Sequence, residues 1–176
     1  LFEKNNHFGG HSFTVDVLDS ISNQPISLDL GFIVFNKVNY PNLVKFFEDL
    51  NVEYEKSNMS FAVSVKKSNI EYSGSGLKGI FANKFNFFNL KFLKMIKKII
   101  YFYKNAEKTN ELECSKQTLG DFLKLKNYSN YFINFHIIPM VAAIWSMPSN
   151  LAEKMPLKLF LNFFKNHGLF KIKNRP

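Results

Sequence analysis

Arginine is almost missing from this chain of 176 residues. Arg175 is the only one, although lysine and arginine together number 23 and the net charge is +9. Proteins that read base edges or clamp phosphates lean on the planar guanidinium fork, which makes bidentate contacts that an ammonium cannot. A basic chain with one arginine is a poor candidate for sequence-specific recognition, so no nucleic-acid partner is expected. Cysteine is equally scarce. Cys114 stands alone, which excludes an intramolecular disulfide and fits a reducing compartment, the cytoplasm being the simplest. No run approaches the ~18 continuous apolar residues of a membrane-spanning helix. What is plentiful is phenylalanine, 21 residues of it, with lysine, asparagine and isoleucine beside it. The length allows one substantial core. The basic excess reads as compositional drift toward lysine, with an anionic membrane surface as the competing explanation.

The most informative stretch comes first. Leu1-Phe2-Glu3 reads as the end of a buried strand carrying an acidic residue, and Gly9-Gly10-His11-Ser12 as a loop after it. An acidic residue at the tip of the second strand of a βαβ unit accepts hydrogen bonds from a ribose diol. Adjacent glycines let a backbone approach a pyrophosphate or a flat ring. Glycine pairs also occur in ordinary turns, so the residues alone leave both readings open. The expectation is a piece of a longer protein, with a strand and a G-x-G-x-x-G turn within about 35 residues before Leu1.

Strands are expected at Phe13–Val17 and from Ile26 to Asp29, joined by a turn at Ser22–Pro25. Tyr40-Pro41 opens a helix with Leu43, Phe46, Phe47 and Leu50 at helical spacing. A second hairpin pairs Phe61–Val65 with Ile70–Tyr72. From about residue 88 the pattern turns helical, with Leu90, Leu93, Ile96, Ile100 and Tyr103 on one face and lysines around the other. Thr118 and Asp121 make a capping-box pair, Ser129 caps the next helix, Pro139 should kink it, and Gly168 should end a helix begun at Pro156. Strands followed by helices predict an α+β class.

The string LFEKNNHFGGHSFT resembles the segment E-x-x-x-R-x-G-G-R-x-x-T of the flavin-containing amine oxidase superfamily. DLGFIVFNKVNYPNL, NMSFAVSV, EYSGSGLKGIFAN, PMVAAIWSMP and FFKNHGL are similar to a bacterial, amine-oxidase-like subgroup described as NAD/FAD-binding. The resemblance implies FAD as cofactor and a fragment of a Rossmann-like FAD-binding domain, from an α/β parent, joined to a mostly helical substrate domain. It implies that Glu3 binds the adenosine ribose, that Gly9, Gly10, His11 and Ser12 lie along the pyrophosphate and flavin, and that Gly31, Phe32 and Ile33 pass the ring. His7 and His11 stand where the family carries arginines, giving up a permanent charge against a phosphate. The implied boundaries are 1–35 for the second half of the FAD region, 36–85 for a helix and hairpin of the substrate domain, and 86–176 for its helical part.

Other motifs weigh less. His7 and His11 have metal-ligand spacing, but the glycine pair between them disfavours the required helix by ~2 kcal/mol. No metal is expected. Gly74-Ser75-Gly76-Leu77-Lys78-Gly79 spells G-x-G-x-x-G without a second strand ending in an acid, and reads as a turn into the helical region. Met140–Ser146 reads as core, with the wall of a substrate cavity as the alternative. His136 and His167 read as structural, and no catalytic base stands out. The reading is an FAD-dependent oxidoreductase of amine-oxidase type, taking a hydride from an amine or from an apolar, lipid- or carotenoid-like substrate. The alternative is a non-catalytic, basic, membrane-associated protein on a degenerate flavin fold, touching lipid through the helix at 88–105.

Overall fold

The computed structural model describes residues 2–31, 34–57, 60–109 and 114–171. The chain divides into two compact units, residues 1–57 and 58–176. The expected functional boundaries at 35 and 85 fall inside these units.

The first unit is a hairpin and a helix. Strands β1 (Thr14–Leu18) and β2 (Pro25–Asp29) pair antiparallel, Thr14 opposite Asp29 and Leu18 opposite Pro25. Asp19 holds the connecting turn by accepting from the Ser22 hydroxyl and amide, and those bonds keep its carboxyl below the usual range. One face of the ladder is polar: Thr14 donates to Asp29 at 2.7 Å and Ser27 to Asp16 at 2.6 Å. Helix α1 (Pro41–Asp49) starts on its proline as expected. Its Phe47 meets the rings of Phe35 and Tyr54, and Lys37 lies over the Tyr54 ring at 4.9 Å. The expected strand at residues 1–3 is absent at Phe2 and Glu3, which are irregular and have no ladder partner among the described residues.

The second unit begins with the other expected hairpin, β3 (Ala62–Val65) against β4 (Ile70–Ser73). A short helix α2 (Gly76–Ile80) and a 3-10 turn (Lys84–Phe88) lead into the long helix α3 (Leu90–Asn105). Helix α4 (Leu119–Leu125) opens on the Thr118–Asp121 capping box, complete in both directions. A helical run capped by Ser129 follows, α-helical at α5 (Asn130–Phe132), π at Ile133–Ile137 and α-helical again at α6 (Ile138–Trp145). The kink expected from Pro139 takes the form of that π-turn, where the Ile138 amide reaches back to the Ile133 carbonyl. Helix α7 (Leu157–Asn166) follows Pro156, and Gly168 at φ +60° ends its last turn.

The core of this unit is aromatic. Phe92, Phe102, Phe132, Phe160 and Phe164 are fully buried. Phe102 alone contacts the rings of Tyr128, Phe132, Phe160 and Phe170. Met140 and Val141 are buried, while Trp145 is half-buried against Phe163.

The buried face of α3 matches the expected one only in part, at Tyr103 and at Ile96, which packs against the core. Phe92, Met95, Phe102 and Tyr103 point into the core, whereas Leu90 and Ile100 stay exposed. Two apolar stripes run side by side on this helix, and packing partners choose between them.

Candidate functional site

The residues expected at a cofactor gather mainly at the open end of the first hairpin. Its ladder is extended by one bond, Leu30 N–H to the Phe13 carbonyl at 2.8 Å. One residue further, Gly31 runs so close to His11 that an added Cβ would overlap the His11 carbonyl oxygen. Only glycine passes there. Opposite it, the Ser12 amide donates to the Gly9 carbonyl at 3.0 Å and closes a tight turn over Gly9–Ser12. Gly9 and Gly10 sit at φ +104° and +61°, where L side chains are strained. A Cβ on Gly9 would strike the Ser12 carbonyl, whereas one on Gly10 would meet nothing. The turn therefore offers an uncovered backbone at Gly10.

Thus Gly9, Gly10, His11, Ser12 and Gly31 are brought together. Phe32 and Ile33 lie outside the described residues. Glu3 is exposed, and its Oε1 accepts from the amides of Lys4 and Asn5, each at 2.7 Å. That fixes a negative group on the segment leading into the glycine turn. The His7 ring packs on Phe13 with centroids 4.4 Å apart, so His7 is used to order the loop.

The decisive comparison is with protein-family models. Residues 1–50 match an NAD(P)-binding Rossmann-like domain. This domain type is found in FAD-dependent oxidoreductases, amine oxidases among them, and it implies a dinucleotide cofactor. It suggests an oxidoreductase, and the mixture of helices with small sheets is compatible with an α+β class. No curated protein and no solved structure matches the chain. No helix among the described residues is long and apolar enough to cross a membrane.

The geometry fits a dinucleotide in two respects. A carboxylate precedes the turn, suited to a ribose diol, and glycine backbone lies open where a diphosphate or ring edge needs close approach. Among the described residues it supplies no guanidinium there.

The second unit holds a polar network that the sequence did not announce. His136 is buried. Its Nδ1 lies 2.9 Å from the Tyr72 hydroxyl and its Nε2 3.0 Å from the Tyr103 hydroxyl. Tyr72 donates to the Phe135 carbonyl at 2.9 Å. Pro139, four residues later, has no amide hydrogen to offer that carbonyl. Because the one Tyr72 hydroxyl proton is engaged, the hydrogen between Tyr72 and His136 belongs to Nδ1. Burial first, then the neighbouring Tyr103 and Tyr131, raises the Tyr72 phenol well above its usual range. It remains a donor at physiological pH. A proline four residues beyond a helical carbonyl was the one available signal.

A cavity of about 370 Å³ also opens in this unit, between Tyr101, Asn105, Lys108, Phe122, Lys126 and Tyr128. Burial, and secondarily Tyr101, pushes the Tyr128 phenol up to about 12.

Proposed function

We propose that the chain belongs to an FAD-dependent oxidoreductase of amine-oxidase type, in which residues 1–31 form part of the cofactor site. The observation that carries this reading is the match of residues 1–50 to an NAD(P)-binding Rossmann-like domain. Glu3 would hold the adenosine ribose through its carboxylate. A carboxylate there repels a 2′-phosphate, which disfavours NADPH among the dinucleotides. Gly9, Gly10 and Ser12 would lie along the diphosphate with His11 beside them, and Gly31 would let the strand end pass the ring system. FAD supplies a hydride acceptor when bound; the residues named here bind it and orient it. The substrate is an amine or an apolar, lipid- or carotenoid-like molecule, oxidised next to the heteroatom or at a carbon that becomes part of a double bond.

The test uses protein expressed from the full reading frame. It should purify yellow, or turn yellow with added FAD, and show the absorption bands of an oxidised flavin. Glu3→Ala should weaken FAD binding about tenfold, the loss expected for hydrogen bonds to a charged group. Colourless protein that takes up no FAD would overturn the flavin reading. Uptake of NADH without FAD would keep the dinucleotide site and replace its occupant.

A further inference from the structure

The 3-10 turn Lys84–Phe88 is built inside out. Its polar Asn86 is buried, with 1% of its surface exposed, while Phe85, Phe87 and Phe88 are 76%, 61% and 82% exposed. Leu90 at the start of α3 is 72% exposed, and Leu77 in α2 is 75% exposed. Burial of apolar surface should drive the opposite arrangement.

Three asparagines hold the inversion in place. The Asn86 amide donates to the Glu71 carbonyl at 2.8 Å and pins the turn to β4. Asn83 accepts from the Phe85 amide at 3.0 Å and donates to the Asn69 carbonyl at 3.0 Å. Asn89 accepts from the Phe92 amide at 3.1 Å and caps α3. The rings of Phe87 and Phe88 meet edge to face at 5.5 Å, and Phe87 also packs on Phe81. The aromatic tip is thus a fixed structure, displayed by its own hydrogen bonds.

The charge that flanks it along the chain has one sign. From Tyr72 to Ala106 the sequence has no Asp or Glu, and Lys78, Lys84, Lys91, Lys94, Lys97 and Lys98 fall within that stretch. Large exposed apolar side chains with lysines before and after them in the chain, and Glu71 the one acid on the strand to which the turn is pinned, match a bilayer surface: rings enter the headgroup boundary, and ammonium groups meet anionic lipid.

We propose that this tip, Leu77, Phe85, Phe87, Phe88 and Leu90 with their flanking lysines, docks the protein on an anionic membrane. The contact rests on the second unit alone and does not depend on which cofactor the first unit takes. It also differs from a helix lying flat, because α3 turns Phe92 and Phe102 into the core.

The test is co-sedimentation of the full chain with vesicles of phosphatidylcholine, alone or mixed with phosphatidylglycerol. Binding should be at least about tenfold stronger to the anionic vesicles and should fall with added salt. The triple variant Phe85→Ser, Phe87→Ser, Phe88→Ser should lose it while keeping the wild-type near-ultraviolet circular dichroism. Lys78→Gln with Lys84→Gln and Lys91→Gln should remove the preference for anionic lipid. A Phe88→Trp variant should shift its emission to the blue with anionic vesicles. Absence of binding to anionic vesicles, or binding that survives the triple serine variant, would overturn the proposal. So would a dimer in sedimentation equilibrium that the serine variant converts to monomer, since a second copy would then cover the tip.

Discussion

The two units of this chain hold their shape in different ways. In residues 58–171 the described side chains close around an aromatic core running from Val63 to Phe170. In residues 2–57 no described residue is buried. The first unit instead relies on a five-residue ladder, cross-strand hydroxyl–carboxylate bonds, a side-chain-closed turn and the ring trio of Phe35, Phe47 and Tyr54. Packing resists local opening, whereas exposed hydrogen bonds resist it little. The dinucleotide-binding candidate sits on the unit defined by backbone geometry and glycine. The packed unit carries the polar network and the aromatic tip.

That contrast makes graded predictions. Removing a core ring should hurt most. Phe102→Ala should cost about 3–5 kcal/mol in urea unfolding, since the rings of Tyr103, Tyr128, Phe132, Phe160 and Phe170 lose their contact. Tyr72→Phe comes next. It removes the hydroxyl that donates to the Phe135 carbonyl and meets His136 Nδ1, which should cost about 1–3 kcal/mol. Thr118→Ala should cost about 1 kcal/mol by opening the capping box.

This third change also carries a pH signature. The Thr118 hydroxyl, then its backbone amide, holds the Asp121 carboxyl below the usual carboxylate range. A depressed folded pKa means that the stabilisation is present above the unfolded value and is lost as pH falls through the folded one. The stability difference between wild type and Thr118→Ala should therefore shrink in acid, and a pH-independent difference would refute the pairing.

In the first unit, Gly31→Ala should leave the main unfolding transition nearly unchanged. It should still abolish hydrogen-exchange protection at the Leu30 amide, because the new Cβ forces the strand end away from His11. Phe47→Ala should move the main transition least, by less than about 1 kcal/mol. If it costs as much as Phe102→Ala, the two units are not distinct in the way described.

Which features were legible in the sequence follows from how far each signal reaches. The capping box at Thr118–Asp121, the Ser129 cap, the proline start of α1 and the glycine end of α7 all depend on residues within a few positions of one another. Both hairpins were legible for the same reason. The buried stripe of α3 was legible only in part, at Tyr103, since both of its stripes are apolar and a distant partner decides. The tip at Lys84–Phe88 reverses the usual rule of burial, so a reading by hydropathy places its phenylalanines inside. At the candidate site the glycine pair was readable, but the reason for Gly31 was not. It lies in the His11 carbonyl, twenty residues away and brought close only by strand pairing.

The π-turn has an evolutionary corollary. Pro139 and Tyr72 settle one question between them: which group feeds the Phe135 carbonyl. A chain with alanine at 139 regains an amide for that carbonyl, so Tyr72→Phe should be milder there than beside proline. The two positions are epistatic. Their double-mutant cycle should show a positive coupling, and substitution at one site opens the path to substitution at the other.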